Sequence, residues 1–96
     1  MGHAKNKPKR LAEKLLQIRE ALGLSQKEMA ERLSKQAEIK ITYRNVSKYE
    51  RDKSVPYIEI VFAYARLANV EMNQIVDDDL EIEPTEWPEF IGADLS

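Results

Sequence analysis

Residues Leu22–Pro56 read LGLSQKEMAERLSKQAEIKITYRNVSKYERDKSVP, and two helix-start signals stand in this stretch. Ser25 is a good N-cap, and Glu28 three residues later completes a capping box, with Leu24 and Met29 spaced to form an apolar staple around it. Met29, Ala30 and Leu33 then share one helical face. Thr42 is the second N-cap residue, preceded by Ile41 as a packing residue. Behind it, Val46 and Tyr49 form an inner face, while Tyr43, Arg44, Ser47 and Lys48 form an outer one with Asn45 at its edge. The first of these helices is expected to end between Ser34 and Gln36, and the second near Arg51–Asp52.

Working outward, Leu11, Leu15, Ile18 and Leu22 recur at intervals of four, three and four, so a preceding helix is expected from about Arg10 to Leu22, with Gly23 as its left-handed stop. After Pro56, which suits a first helical turn, a fourth helix carries two apolar faces. Ile58, Val61, Phe62, Ala65 and Ala68 make one, and Tyr57, Ile60, Tyr64 and Leu67 the other, with Asn69 fit for a left-handed stop. A short fifth helix runs from Glu71 or Met72 to Val76. The expected organisation is a flexible basic arm over 1–9, an all-α five-helix domain over 10–79, and an extended acidic tail over 80–96 interrupted by Pro84 and Pro88.

Charge is segregated along this chain. Of 96 residues, 1–76 hold all 15 Lys and Arg against nine of the 17 acids, a surplus of six positive charges; 77–96 hold the other eight acids and no base. A basic head suits phosphate, and an acidic tail would repel phosphate, bind a basic partner or fold back on the head. There is no cysteine, so disulfides and thiolate metal sites are excluded, and His3 is the single histidine. With no metal-ligand cluster, Gly-rich phosphate loop or convincing carboxylate pair, no catalytic residue, metal or cofactor is expected, and the chain is not expected to be an enzyme. No apolar run approaches the roughly 20 residues that span a bilayer. The basic start lacks an apolar core for a secretory signal, and Asn6 breaks the myristoylation pattern. A cytoplasmic protein with no membrane partner is expected.

Two short helices close together, the second exposing Tyr, Arg, Asn and Lys near its start, is how a helix-turn-helix offers a reading helix to the major groove. The residues also resemble the Cro/C1-type helix-turn-helix family, called XRE, over roughly Leu11 to Val76. The resemblance rests on Leu22-Gly23-Leu24-Ser25-Gln26, Ala30 and Leu33, Val46-Ser47-Lys48-Tyr49-Glu50, the Lys53-to-Pro56 turn, and Leu67-Ala68-Asn69-Val70, all in the family's order. It implies a lambda-repressor-like DNA-binding domain that regulates transcription, with double-stranded DNA as partner. It further implies that Gln26 bonds a phosphate and braces the reading helix, that Tyr43, Arg44 and Lys48 reach base edges, and that Thr42, Arg51 and Lys53 contact the backbone. Arg19 and Glu50 correspond to an internal ion pair.

Two departures from the family pattern stand out. Eight residues, SKQAEIKI, separate Leu33 from Thr42 where the family has three or four, so either the second helix runs a turn longer or the turn is an enlarged loop, which would add Lys35 or Lys40 as phosphate contacts. Asp52 stands where the family usually has glycine. It tolerates a left-handed backbone less well than glycine does, so a modest strain is expected.

Residue chemistry sorts the candidate contacts. The Arg44 fork matches O6 and N7 of guanine, a contact worth about 1–3 kcal/mol of discrimination. Tyr43 suits a thymine methyl, Asn45 a bidentate adenine contact, and Lys48 a base or a phosphate one turn from Arg44. The second apolar face of the fourth helix, Tyr57, Ile60, Tyr64 and Leu67, needs a cover. Either Trp87 and Phe90 of the tail fold onto it, or a second subunit does so, giving a homodimer on a palindromic operator. The alternative function is an antitoxin-type protein whose acidic tail binds a basic toxin or other protein partner while the same helix-turn-helix autoregulates.

Overall fold

The computed structural model describes residues 8–82, which form five helices: α1 Leu11–Leu22, α2 Gln26–Ala37, α3 Tyr43–Glu50, α4 Ile58–Ala68 and α5 Met72–Val76. There is no strand among the described residues. The start of α2 follows its local code: Ser25 Oγ accepts the Glu28 N–H at 3.0 Å and the Glu28 carboxylate accepts the Ser25 N–H at 2.8 Å. The Ser25 N–H, and after it the Ser25 hydroxyl, hold the Glu28 carboxyl below the ordinary carboxylate range. α3 starts the same way, with Thr42 Oγ1 accepting from Asn45 N and Asn45 Oδ1 accepting from Thr42 N at 2.9 Å.

Three helices stop alike. Gly23, Asp52 and Asn69 all take φ near +60 to +70°. At each, the next residue's N–H reaches back five positions: Leu24 to Arg19 O at 3.2 Å, Lys53 to Lys48 O at 2.8 Å, and Val70 to Ala65 O at 3.0 Å. This is the Schellman closure, in which a left-handed residue turns the chain and satisfies the last carbonyls. Asp52 therefore does what glycine would do there, at φ +61°.

The eight-residue gap is resolved in favour of the longer helix. α2 runs to Ala37, one residue beyond the expected end, and stops at Glu38 with φ +58°. No glycine or asparagine marks this stop in the sequence. Ser34 completes the turn: its hydroxyl sits 2.8 Å from Ala30 O and accepts the Ile41 N–H at 2.9 Å. The extended backbone entering α3 is thus tied to the last turn of α2.

The core gathers Leu11, Leu15 and Ile18 of α1, Met29, Ala30 and Leu33 of α2, and Val46 and Tyr49 of α3, as their spacing predicts. α4 differs from expectation. Its buried residues are Ile60, Val61, Ala63, Tyr64, Ala65 and Ala68. Ile60 and Tyr64, expected on an open second face, are 3 % and 0 % exposed, whereas Ile58 and Phe62, expected in the core, are 68 % and 49 % exposed. Apolar residues surround most of this helix, so its burial centres on the boundary between the two expected faces. Leu67 is partly buried against the core and Tyr57 is exposed. Pro56 precedes the N-cap Tyr57 instead of occupying the first turn, and is itself buried.

The packed unit also runs past the expected end at Asp79, because Ile82 is 3 % exposed in the core. Long-range polar contacts hold this segment. Lys14, fully buried, donates from Nζ to the carbonyls of Gln74, Asp77 and Leu80, each at 2.7 Å. All three ammonium protons are used. The N-cap of α1 is Arg10, whose side chain cannot cap. Asp78 substitutes, Oδ1 accepting the Arg10 N–H and Oδ2 the Lys9 N–H, both at 2.9 Å. Arg10 in turn forks onto Glu81 at 2.8 and 2.9 Å and reaches Glu13 at 3.0 Å. Trp87, Phe90 and the rest of residues 83–96 lie outside the described residues, as does most of the basic arm.

Candidate nucleic-acid interface

The site is assembled from two helix ends and one helix face. Val46 and Tyr49 bury the inner side of α3 at 0 % and 7 % exposure, which turns Tyr43, Arg44 and Lys48 outward. The first turn of α2 lies beside them. Gln26, Tyr43, Arg44, Ser47, Lys48 and Arg51 line one shallow open groove of about 320 Å³. The Arg44 guanidinium carbon stands 5.6 Å from the centroid of the half-exposed Tyr43 ring, a cation–π distance that limits where the fork can swing. Arg51 Nε donates to Ser47 Oγ at 3.1 Å, fixing the far wall.

Behind the groove, Glu50 binds three donors. Its carboxylate accepts Arg19 Nε at 2.7 Å, Arg19 Nη2 at 3.0 Å and Gln26 Nε2 at 3.0 Å. The side chains of Arg19 and Glu50 are 17 % and 4 % exposed. Arg19 Nη1 also donates to Leu24 O at 2.9 Å, and the Glu50 carboxylate raises the Arg19 guanidinium pKa. Three helices therefore meet on one carboxylate: α1 through Arg19, α2 through Gln26 and α3 through Glu50 itself. The Gln26 amide has two N–H groups. One goes to Glu50, and the residue itself opens α2, a helix start where an anion is favoured.

The remaining sequence candidates fall elsewhere. Asn45 does not face the groove freely, because its Oδ1 accepts from both Thr42 N and Thr42 Oγ1, at 2.9 and 3.1 Å. Bidentate pairing with adenine needs that oxygen as well as the amide nitrogen, so it competes with the cap of α3. Lys40 and Asn45 line a second groove of about 280 Å³ with Ile39, Ile41, Tyr49 and Val55. Lys35 is exposed on the last turn of α2 and Lys53 on the loop after α3. Sequence reasoning missed Ser34, whose hydroxyl positions the entry to α3. A short hydroxyl residue four positions after a helical carbonyl is the available signal.

The helix-turn-helix family model HTH_3 matches residues 15–75, more than half of the chain. No curated protein and no solved structure matches. The matched span contains α2, the turn, α3 and every residue lining the groove. The chain belongs to the Cro/C1-type (XRE) helix-turn-helix family of DNA-binding transcription regulators.

Proposed function

We propose that this protein is a sequence-specific, non-catalytic regulator of transcription that reads the major groove with α3, as a homodimer on a palindromic operator. The observation that supports this most is the single groove joining Gln26 at the start of α2 to Tyr43, Arg44, Lys48 and Arg51. Arg44 is the base reader, a fork for guanine. Tyr43 positions it and offers an apolar edge to a thymine methyl, and Lys48 follows one turn later. Gln26, Thr42 and Arg51 hold the phosphate backbone, with Lys53, Lys35 and Lys40 at the margins. Asn45 contributes through its amide N–H, since its oxygen serves the helix cap.

The test is selection from a randomised duplex pool at near-physiological salt. A palindrome with half-sites about 10 bp apart is expected from a two-fold reader. Arg44→Ala should then relax preference at one base pair. Lys53→Ala should weaken every sequence about equally and reduce the salt slope by about one. Equal loss on every sequence for Arg44→Ala would remove it from base reading.

One observation favours a second, protein-binding role for the acidic tail. Arg10 and Lys14, which hold residues 74–81, stand at the opposite end of α1 from Arg19, which pairs with Glu50 of the reading helix. Nine residues of helix from Arg10 to Arg19 make about 13 Å of separation. A basic protein held by the tail, as in an antitoxin, would leave α3 free for DNA. Pull-down of a basic partner by the full chain, lost on truncation after Ile82, tests this.

A further inference from the structure

α4 exposes a ridge that the core does not use. Ile58, Phe62 and Arg66 follow one another at four-residue spacing, with Glu59 beside Ile58. Ile58 is 68 % and Phe62 49 % exposed. The Arg66 guanidinium carbon lies 5.2 Å from the centroid of the Phe62 ring. Two grooves border the ridge, and Gln36 of α2 lines both. One of about 310 Å³ also takes in Ala37, Ala63 and Glu59, and one of about 570 Å³ takes in Ala65, Asn69, Val70 and Met72. Both share Phe62 and Arg66.

We infer that this ridge is the surface on which a second copy of the chain docks, with the two α4 helices packed antiparallel about a two-fold axis near Phe62. The inference rests on the dimeric part of the proposed function and assigns it a surface. Three features select a second copy over another occupant. A two-fold interface needs a surface that complements itself, and here one projecting ring lies beside hollows floored by small residues. Phe62 of each copy can therefore seat against Ala37 and Ala63 of the other.

The charges also complement themselves. An antiparallel pairing centred on Phe62 brings position 66 of one helix opposite position 58 of the other, so Arg66 approaches Glu59 of the second copy. Neither residue has an ion-pair partner among the described residues. Finally, the ridge carries one acid and one base. It gives the acidic tail, with Glu83, Glu86, Glu89 and Asp94, little attraction, and offers no basic stripe to DNA.

The experiment is sedimentation equilibrium of the full chain without DNA, at micromolar to 100 micromolar concentration. The native chain is expected to dimerise. Phe62→Asp should weaken association at least about tenfold while leaving the helical circular dichroism intact, since Phe62 is not in the core. Glu59→Arg and Arg66→Glu should each weaken it, and the double exchange should restore it, because only the trans pairing makes them compensate. A native chain that stays monomeric, a Phe62→Asp chain that still dimerises, or a double exchange no better than the singles would each overturn this interface. Binding of monomeric Phe62→Asp to a single selected half-site separates this from the reading by α3. Retained half-site preference leaves α3 in place whatever the dimer does, and its loss in a folded chain would refute an interface confined to α4.

Discussion

The Arg19–Glu50 pair allows the sharpest energetic prediction, because it ties α1, α2 and α3 together behind the groove. Replacing Glu50 by Leu removes the acceptor of two Arg19 bonds and one Gln26 bond. It also strands a guanidinium that is 17 % exposed. Breaking one side of a pair this buried costs about 3–5 kcal/mol. A domain of this size has roughly 4–11 kcal/mol of total stability, so the single variant should be marginal at 25 °C. Arg19→Met strands the carboxylate instead and should lose a similar amount. Removing both charges leaves neither uncompensated, so the double variant should be more stable than the sum of the singles predicts, by about 2–3 kcal/mol. The assay is urea unfolding of all four proteins at pH 7, followed by helical circular dichroism, with equal m-values as the check that the unfolding reaction is unchanged. Burial shields the pair from salt, so the coupling should persist at high ionic strength. Losses that add to within about 0.5 kcal/mol, as independent sites do, would refute the claim that this carboxylate joins three helices.

Three further outcomes follow from buried and capping groups. The Tyr64 hydroxyl is buried without a hydrogen-bond partner among the described residues, and burial pushes its pKa up. An unmade buried bond costs about 1–3 kcal/mol, so Tyr64→Phe should raise stability by about 1 kcal/mol in thermal or urea melts, and a loss would show that the hydroxyl has a partner. Lys14→Met should cost about 2–4 kcal/mol by leaving three carbonyls unpaired, and amide exchange over residues 77–82 should speed up; unchanged exchange there would contradict the proposed anchoring. Hydrogen bonds from the Arg10 and Lys9 backbone hold the Asp78 carboxyl below its ordinary range, and the Arg10 side chain does the same for Glu81. Their contribution is therefore complete above the unfolded carboxyl pKa of about 4 and is lost as pH falls through the lower folded values. The stability gap between the native chain and Asp78→Ala should close as pH falls below about 4, and a gap independent of pH would count against the cap.

Elements defined by neighbours three or four residues apart are legible in the sequence alone. The capping boxes at Ser25 and Thr42, the left-handed stops at Gly23 and Asn69, and the inner faces of α1, α2 and α3 all depend on such spacings. The outward face of α3 was legible for the same reason, since burying Val46 and Tyr49 sends Tyr43, Arg44 and Lys48 the other way. The end of α2 was less legible, because Glu38 adopts a left-handed turn that its residue type does not advertise and Ser34 reaches seven residues ahead to fix it.

The amino-acid order by itself determined five helices, the outward basic residues of α3 and the family, because periodicity and capping are local physics. Only tertiary structure decided which side of α4 is core. Apolar residues nearly encircle that helix, and burial depends on where α2 and α5 press against it. Tertiary structure also decided that Lys14 is buried, that Asp78 caps α1, and that the packed unit reaches Ile82. Those contacts join residues 60 to 69 positions apart. A lysine or an aspartate read alone is a solvated surface residue, and it becomes a structural anchor only when a distant backbone supplies the carbonyls or N–H groups it needs.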